Sequence, residues 1–187
     1  MIKHVVLFAA AFLATRLFAT ETLLMIDRER SHIEAAAKST MEDFSAKLSY
    51  FEGTIQVDPA AKSVGSAQLK FRFADVKTGS NSRDAKMHLW QQTDQFPDCV
   101  YVLDALLPAT GGSFRARGKF IFHGVTREIN FPVTLRFEDK GICKIDGDLQ
   151  LDTRQYELPI VRLLGVFTVD PFVQVKFHIE GHLPTGS

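Results

Sequence analysis

Tryptophan is almost missing from this chain, cysteine occurs twice, and neither sign of charge is in excess. Each shortage excludes something. With 22 Lys plus Arg against 22 Asp plus Glu, there is no basic surplus to hold phosphates, so nucleic acid is not an expected partner. No Ser sits in a Gly-x-Ser-x-Gly elbow, and neither Cys99 nor Cys143 lies in a motif that marks a nucleophile. Internal repeats, low-complexity tracts and linkers are also lacking, which leaves 187 residues as one domain. A charged fraction of 24% beside 45% hydrophobic residues is that of an ordinary globular chain and argues against disorder.

The longest apolar run, "VVLFAAAFLA", has ten residues and is too short to cross a bilayer as a helix. It follows Lys3 and His4 and gives way to polar "TRLFATET". That order is the layout of a secretory signal peptide over residues 1–19, with an exported mature domain at 20–187. A retained N-terminal helix or anchor is the alternative.

What the chain has in quantity is phenylalanine, 16 residues against one Trp and three Tyr. Phe has no polar handle to satisfy and suits an interior that stays dry. Most of these residues fall in segments where apolar side chains recur with period two, the mark of half-buried strands. Ala67, Leu69, Phe71 and Phe73 share one face, with Lys70 and Arg72 on the other. Phe114, Ala116, Gly118, Phe120 and Phe122 point inward on the next such segment, and Ile129, Phe131, Val133, Leu135 and Phe137 on the one after it. Cys143, Ile145, Gly147, Leu149 and Leu151 form another inward row, as do Val173, Val175, Phe177 and Ile179. "SHIEAAAKST" fits the same pattern with Ile33, Ala35 and Ala37, although its propensity also suits a helix. His123-Gly124 is a turn between two strands. "SRDAKMHLWQQ" reads as a short helix starting at Ser82, and "YELPIVRLLGVFTVDPF" as a long connection. Many strands with one apolar face each imply an antiparallel sandwich or barrel, and one shared interior favours a closed barrel.

Small residues beside Phe on the inward faces suggest room left inside that barrel, since a packed core fills such gaps at roughly 1 kcal/mol per methyl-sized hole. Barrel taper is the other reading of the same residues. The candidate lining is Leu69, Phe71, Phe73, Phe120, Phe122, Phe131, Val133, Leu135, Phe177 and Ile179, some of which must fill the ends. Histidines offer little. His178 and His182 are four apart on one strand face, roughly 13 Å at about 3.3 Å per residue, too far to share a metal ion, and read as solvated outward side chains. If the strands meander, Cys99 and Cys143 lie on strands that are not neighbours, and both are expected to be unpaired.

Taken in order, "IDRERSHI", "GTIQVDP", "VKTGSNSRDAKM", "FPDCVYVL", "GKFIFHGVTREINFPV" and "VDPFVQVKFHIEG" resemble the YceI-like family of secreted bacterial polyisoprenoid-binding proteins. The resemblance runs from about Leu23 to Leu183. It departs at Arg30, where the family has His before Ser31, at Lys86, where it has His, and at Thr153, where it has Arg. The resemblance implies an all-β fold, an extended antiparallel lipocalin-like β-barrel with a short helix around residues 83–92. It also implies a tunnel for an isoprenoid chain, that of a quinone or a polyprenyl lipid, with no other cofactor. The expected function is therefore a periplasmic binding or carrier protein for a long-chain amphiphilic lipid, working without bond-making. A homodimer and a membrane-protein delivery partner are compatible with it. The rival readings are a ligand-free structural or partner-binding barrel, and an enzyme acting on a prenyl substrate with Asp84, His88 and His123.

Overall fold

The computed structural model describes residues 21–163 and 166–184. The expected export segment, 1–19, lies outside the described residues. The first half of the sheet is built from β1 (Thr22–Leu23), β2 (Met25–Ser39), β3 (Phe44–Leu48), β4 (Glu52–Asp58), β5 (Ser63–Arg72) and β6 (Val76–Lys77). Helix α1 (Asn81–Gln91) follows, and then β7 (Asp98–Pro108), β8 (Phe114–Phe122), β9 (Val125–Glu138), β10 (Ile142–Asp152), β11 (Arg162–Leu163) and β12 (Phe167–His182).

Pairing runs β1-β4-β5-β7-β8-β9-β10-β12-β2-β3-β6, with β11 on β12, and every pair is antiparallel. This path closes on itself. Leu24 alone separates β1 from β2, so the two form one long strand. That strand meets the β3–β4 segment twice, at Thr22↔Val57 and again at Glu34↔Lys47. The β3–β4 segment likewise faces β5 through Gly53↔Leu69 and β6 through Lys47↔Lys77. Joining β1 with β2, β3 with β4 and β5 with β6 leaves a ring of eight strands, a barrel without a long free edge.

Period-two patterning puts the apolar rows inside as expected. Along β8 the inward Ala116, Gly118, Phe120 and Phe122 are buried, and the outward Arg115, Arg117 and Lys119 are exposed. The β8–β9 hairpin turns on His123 and Gly124, both at positive φ (49° and 71°), the geometry whose twist matches the flanking strands. "SHIEAAAKST" is strand up to Ser39, where β2 ends. The helix begins one residue before the expected start, at Asn81, with Ser80 as its N-cap residue.

The long connection is shorter than its prolines and glycine suggest. A 3₁₀ turn covers Thr153–Tyr156, and β12 is already under way at Phe167. Pro171 is tolerated because it lies within the register irregularity between Val169 and Val173, where no ladder donor is required. His178 faces outward but is not simply solvated. Its Nδ1 lies 2.6 Å from Asp146 Oδ1, and its ring sits 5.4 Å from that of His32. Among the described residues no group of His, Cys, Asp and Glu is arranged to hold a metal ion.

Cys99 and Cys143 are both free and fully buried. Cys99 faces Phe71 across β5 and β7, whereas Cys143 lies between Phe137 of β9 and Gly181 of β12. Strands β8 and β9 stand between them. Burial, with Asp98 adding to it, pushes the Cys99 thiol up to about 12, and burial alone takes Cys143 to about 11. Native protein at mildly alkaline pH is therefore expected to resist thiol reagents, which are attacked by the thiolate. Unreduced protein should release two thiols on denaturation; a count of zero would contradict the strand order.

Candidate functional site

The interior of the barrel divides into two parts. At one end, Leu24, Ile55, Val57, Val64, Ala116, Val133, Cys143, Ile145 and Ile179 pack into a solid core. At the other, the inward rows diverge around a cavity of about 700 Å³, a volume typical of small-molecule sites. Leu69, Tyr101, Phe131 and Phe177 form its floor, since they border both the cavity and a small void of about 50 Å³ beneath it.

Seven of the ten candidate residues line the cavity: Leu69, Phe71, Phe73, Phe120, Phe122, Phe131 and Phe177. Val133, Leu135 and Ile179 do not. They sit below the floor in or against the solid core, because an inward-facing row looks the same from sequence whether it meets a neighbour or a void. Several wall residues were absent from the candidate set. Ile33, Ala35 and Ala37 of β2, Phe44, Ala46 and Leu48 of β3, and Val173 and Val175 of β12 complete one side. The alternation of "FSAKL" was the available signal for β3. Nothing in sequence pointed to Tyr156, which reaches the wall from the 3₁₀ turn and packs 5.8 Å from Phe120 and 5.5 Å from Phe122.

Small inward residues do two different jobs. Gly118 does not open space, contrary to the expectation from the Phe residues beside it, and neither does Gly147. A Cβ on Gly118 would meet the Val102 carbonyl oxygen and lie 2.8 Å from the Tyr101 ring and hydroxyl, and one on Gly147 would collide with the Phe177 ring. These glycines seat two of the three aromatic rings of the floor, Tyr101 and Phe177. Ala35, by contrast, lies between Ala46 of β3 and Val175 of β12 in register, and all three border the cavity. Here small side chains do leave room.

The mouth is assembled from three separate segments. Met41 and Glu42 come from the turn after β2, Ser82 and Lys86 from α1, and Pro159 from the connection before β11. All five border the cavity and remain exposed, so it opens to solvent there. Trp90 Nε1 donates to the Pro159 carbonyl at 2.7 Å and ties the connection to the helix. Thr153 Oγ1 donates to the Pro171 carbonyl at 3.2 Å, and His123 Nδ1 lies 2.9 Å from the Tyr156 carbonyl.

The polar motif residues are structural fasteners. Asp84 Oδ1 accepts from the Thr78 hydroxyl at 2.6 Å and from its backbone N–H at 2.9 Å, which fixes the entry into α1. Burial acts to raise the Asp84 pKa, but both Thr78 bonds, with Lys77 and His88 nearby, outweigh it and hold the carboxyl below its ordinary value. A depressed pKa stabilises the fold above the ordinary carboxylate range, and that contribution is lost as pH falls through the folded value. Asp84→Ala is expected to cost roughly 1.5–3 kcal/mol near neutral pH, the worth of hydrogen bonds to a charged group. The deficit should shrink once acid protonates the parent, which urea unfolding at neutral and strongly acidic pH would measure. At the far wall, Ser31 Oγ accepts from the Glu180 N–H at 3.0 Å, and Arg30 Nη1 donates to the buried Glu180 carboxylate at 3.0 Å. These bonds lock β2 to β12 beside a register irregularity and do not border the cavity. Asp84, His88 and His123 do not border it either, so the cluster considered for catalysis is not assembled at the chamber.

An eight-stranded apolar cup with these sequence pieces has known relatives, and the sequence profile of the YceI-like domain matches residues 24–181. The chain belongs to the YceI-like family. No curated protein sequence matches it. Among solved structures, Burkholderia cenocepacia BcnA is similar at 23% identity, covering 83% of this chain and 99% of BcnA with a TM-score of 0.74. A polyisoprenoid binding domain from Saccharophagus degradans, implicated in plant cell wall breakdown, has 15% identity and a TM-score of 0.67 over 87% of this chain and 99% of that one. The Campylobacter jejuni YCEI protein has 12% identity and a TM-score of 0.63, covering 73% and 83%. At these identities the likeness shows the YceI-like fold alone.

Proposed function

We propose that this YceI-like protein is a periplasmic binding or carrier protein for a long-chain isoprenoid or similar amphiphilic lipid. The apolar cavity of about 700 Å³, open at one end and closed at the other, carries this reading. The polyisoprenoid binding named for the Saccharophagus degradans relative supports it. Binding needs no bond-making. Each methylene moved out of water contributes about 0.8 kcal/mol, so a long chain binds tightly without polar contacts even after the cost of ordering it. Leu69, Phe71, Phe73, Phe120, Phe122, Phe131 and Phe177 are the proposed contacts, and the floor at Tyr101, Phe131 and Phe177 sets the length of chain admitted.

Delipidated protein titrated with phenylnaphthylamine, whose fluorescence rises in apolar surroundings, tests the site. Polyprenols of increasing length should displace the probe with rising affinity up to a limit set by the floor. Failure of any polyprenol to displace it would reject the reading. Export rests on residues 1–19, and the mature protein is expected to start near Thr20; N-terminal sequencing that finds intact Met1 in the membrane fraction would identify an anchor instead.

A further inference from the structure

The mouth of the cavity carries exposed apolar tips on three different elements. Met41, on the turn after β2, is 77% exposed; Val166, just before β12, is 74% exposed; Leu89, on α1, is 79% exposed. Solvent-facing side chains of this size normally occur singly, yet these three belong to segments that share one rim. The first two are held together: Thr40 N donates to the Thr168 carbonyl at 3.0 Å, Thr40 Oγ1 to the Val166 carbonyl at 2.9 Å, and Thr168 N to Thr40 Oγ1 at 3.1 Å. Leu89 follows Lys86 by three residues and Ser82 by seven, which places it at the outer edge of the helix stripe that borders the mouth.

Charge on the rim is arranged unevenly. Arg83 and Lys86 border the mouth side by side on α1, and among the described residues neither has a carboxylate within 4.0 Å. Arg83 instead lies with its guanidinium 5.0 Å from the centre of the Phe44 ring. The acids of the mouth, Glu42 and Asp170, come from other elements, and one Asp170 oxygen accepts the Phe172 N–H at 2.9 Å. The helix side therefore presents two cations without a carboxylate partner beside apolar tips, the combination that holds a surface against anionic lipid.

We propose that this rim docks on the surface of an anionic lipid bilayer, with Met41, Val166 and Leu89 inserted among the head groups and Arg83 and Lys86 on lipid phosphates. The inference rests on the cavity being a lipid site, and it supplies a route for loading. A chain that gains about 0.8 kcal/mol per methylene in the cavity loses as much in crossing water, so the mouth has to meet the membrane for exchange to be fast.

Co-sedimentation with vesicles tests it, using phosphatidylcholine alone and phosphatidylcholine mixed with phosphatidylglycerol. Binding is expected on the mixed vesicles, weaker on the neutral ones, and reduced by salt. Val166→Asp and Leu89→Asp, at positions that do not border the cavity, should each weaken vesicle binding by about tenfold while leaving phenylnaphthylamine uptake in solution unchanged. Lys86→Gln should remove part of the salt dependence. Leu107→Asp, the same apolar-to-acid change at a half-exposed position at the closed end of the barrel, should bind vesicles as the parent does. Vesicle binding that is absent in the parent, or undiminished by both rim variants, would overturn the proposal. So would a dimer in solution that Val166→Asp dissociates, because the rim would then be an interface between copies. In each case phenylnaphthylamine uptake reports separately whether the cavity itself binds apolar ligands.

Discussion

Ala35→Trp is expected to abolish lipid retention while leaving the barrel folded and at least as stable as the lipid-free parent. Ala35 sits between Ala46 and Val175 on a stretch of wall where the side chains are small and the space in front of them is open. An indole placed there projects into the cavity and takes the volume that a ligand would occupy. Because it buries apolar area instead of displacing a neighbour, it should add stability at about 25 cal/mol per Å² of surface covered. In a solid core the same change would overpack and cost typically 1–3 kcal/mol. Melting temperature and polyprenol displacement, measured on the same preparation, separate the two. Loss of stability with unaltered binding would mean that the open wall lies elsewhere.

Gly118→Val should do the reverse, with a large loss of stability. The new Cβ would meet the carbonyl oxygen of Val102, which is backbone, and the ring of Tyr101 at 2.8 Å. Val102 cannot retreat without disturbing the β7–β8 ladder, where Leu103 faces Gly118 and Val102 faces Lys119. A cost of about 3 kcal/mol, the upper end for overpacking, is expected, which corresponds to roughly 6–12 °C in melting temperature for a chain of this size. An unchanged or raised melting temperature would show that Gly118 faces empty space after all.

This pair of substitutions marks where the sequence was legible and where it was not. Alternation identified the strand faces, because side-chain direction in a strand is a local property, and the His123-Gly124 turn marked a hairpin. The meander that keeps Cys99 apart from Cys143 was an assumption about strand order that the pairing bears out. Local patterning also located the helix to within a residue. The floor of the cavity was not legible in the same way. Gly118 and Ala35 are both small inward residues on strands, and only their tertiary neighbours decide that the first is covered, by Tyr101 of β7, and the second is open, between Ala46 and Val175. For the same reason Val133, Leu135 and Ile179 looked like lining and belong to the closed end. The mouth was harder still: Met41, Pro159 and Tyr156 come from turns with no periodicity, and tertiary contacts such as Trp90 to Pro159 place them.

The polar motifs carry a related lesson. Thr78 with Asp84, and Ser31 with Glu180, lie in sequence pieces that carry the family resemblance, and such pieces also mark binding sites. Their hydrogen bonds are satisfied within the protein and hold the helix and the β2–β12 seam in place. The site itself has almost no polar signature, as expected where burial of hydrocarbon supplies the affinity.

Solvent extraction of the protein purified without detergent from its own cell envelope, followed by mass spectrometry, tests the central claim most directly. The expected result is one long-chain isoprenoid or similar lipid per protein molecule, lost from Ala35→Trp prepared in the same way. Parent protein that is folded and yields no lipid, and that also fails to take up phenylnaphthylamine or any polyprenol, would contradict the carrier reading and leave a structural barrel with an unfilled interior.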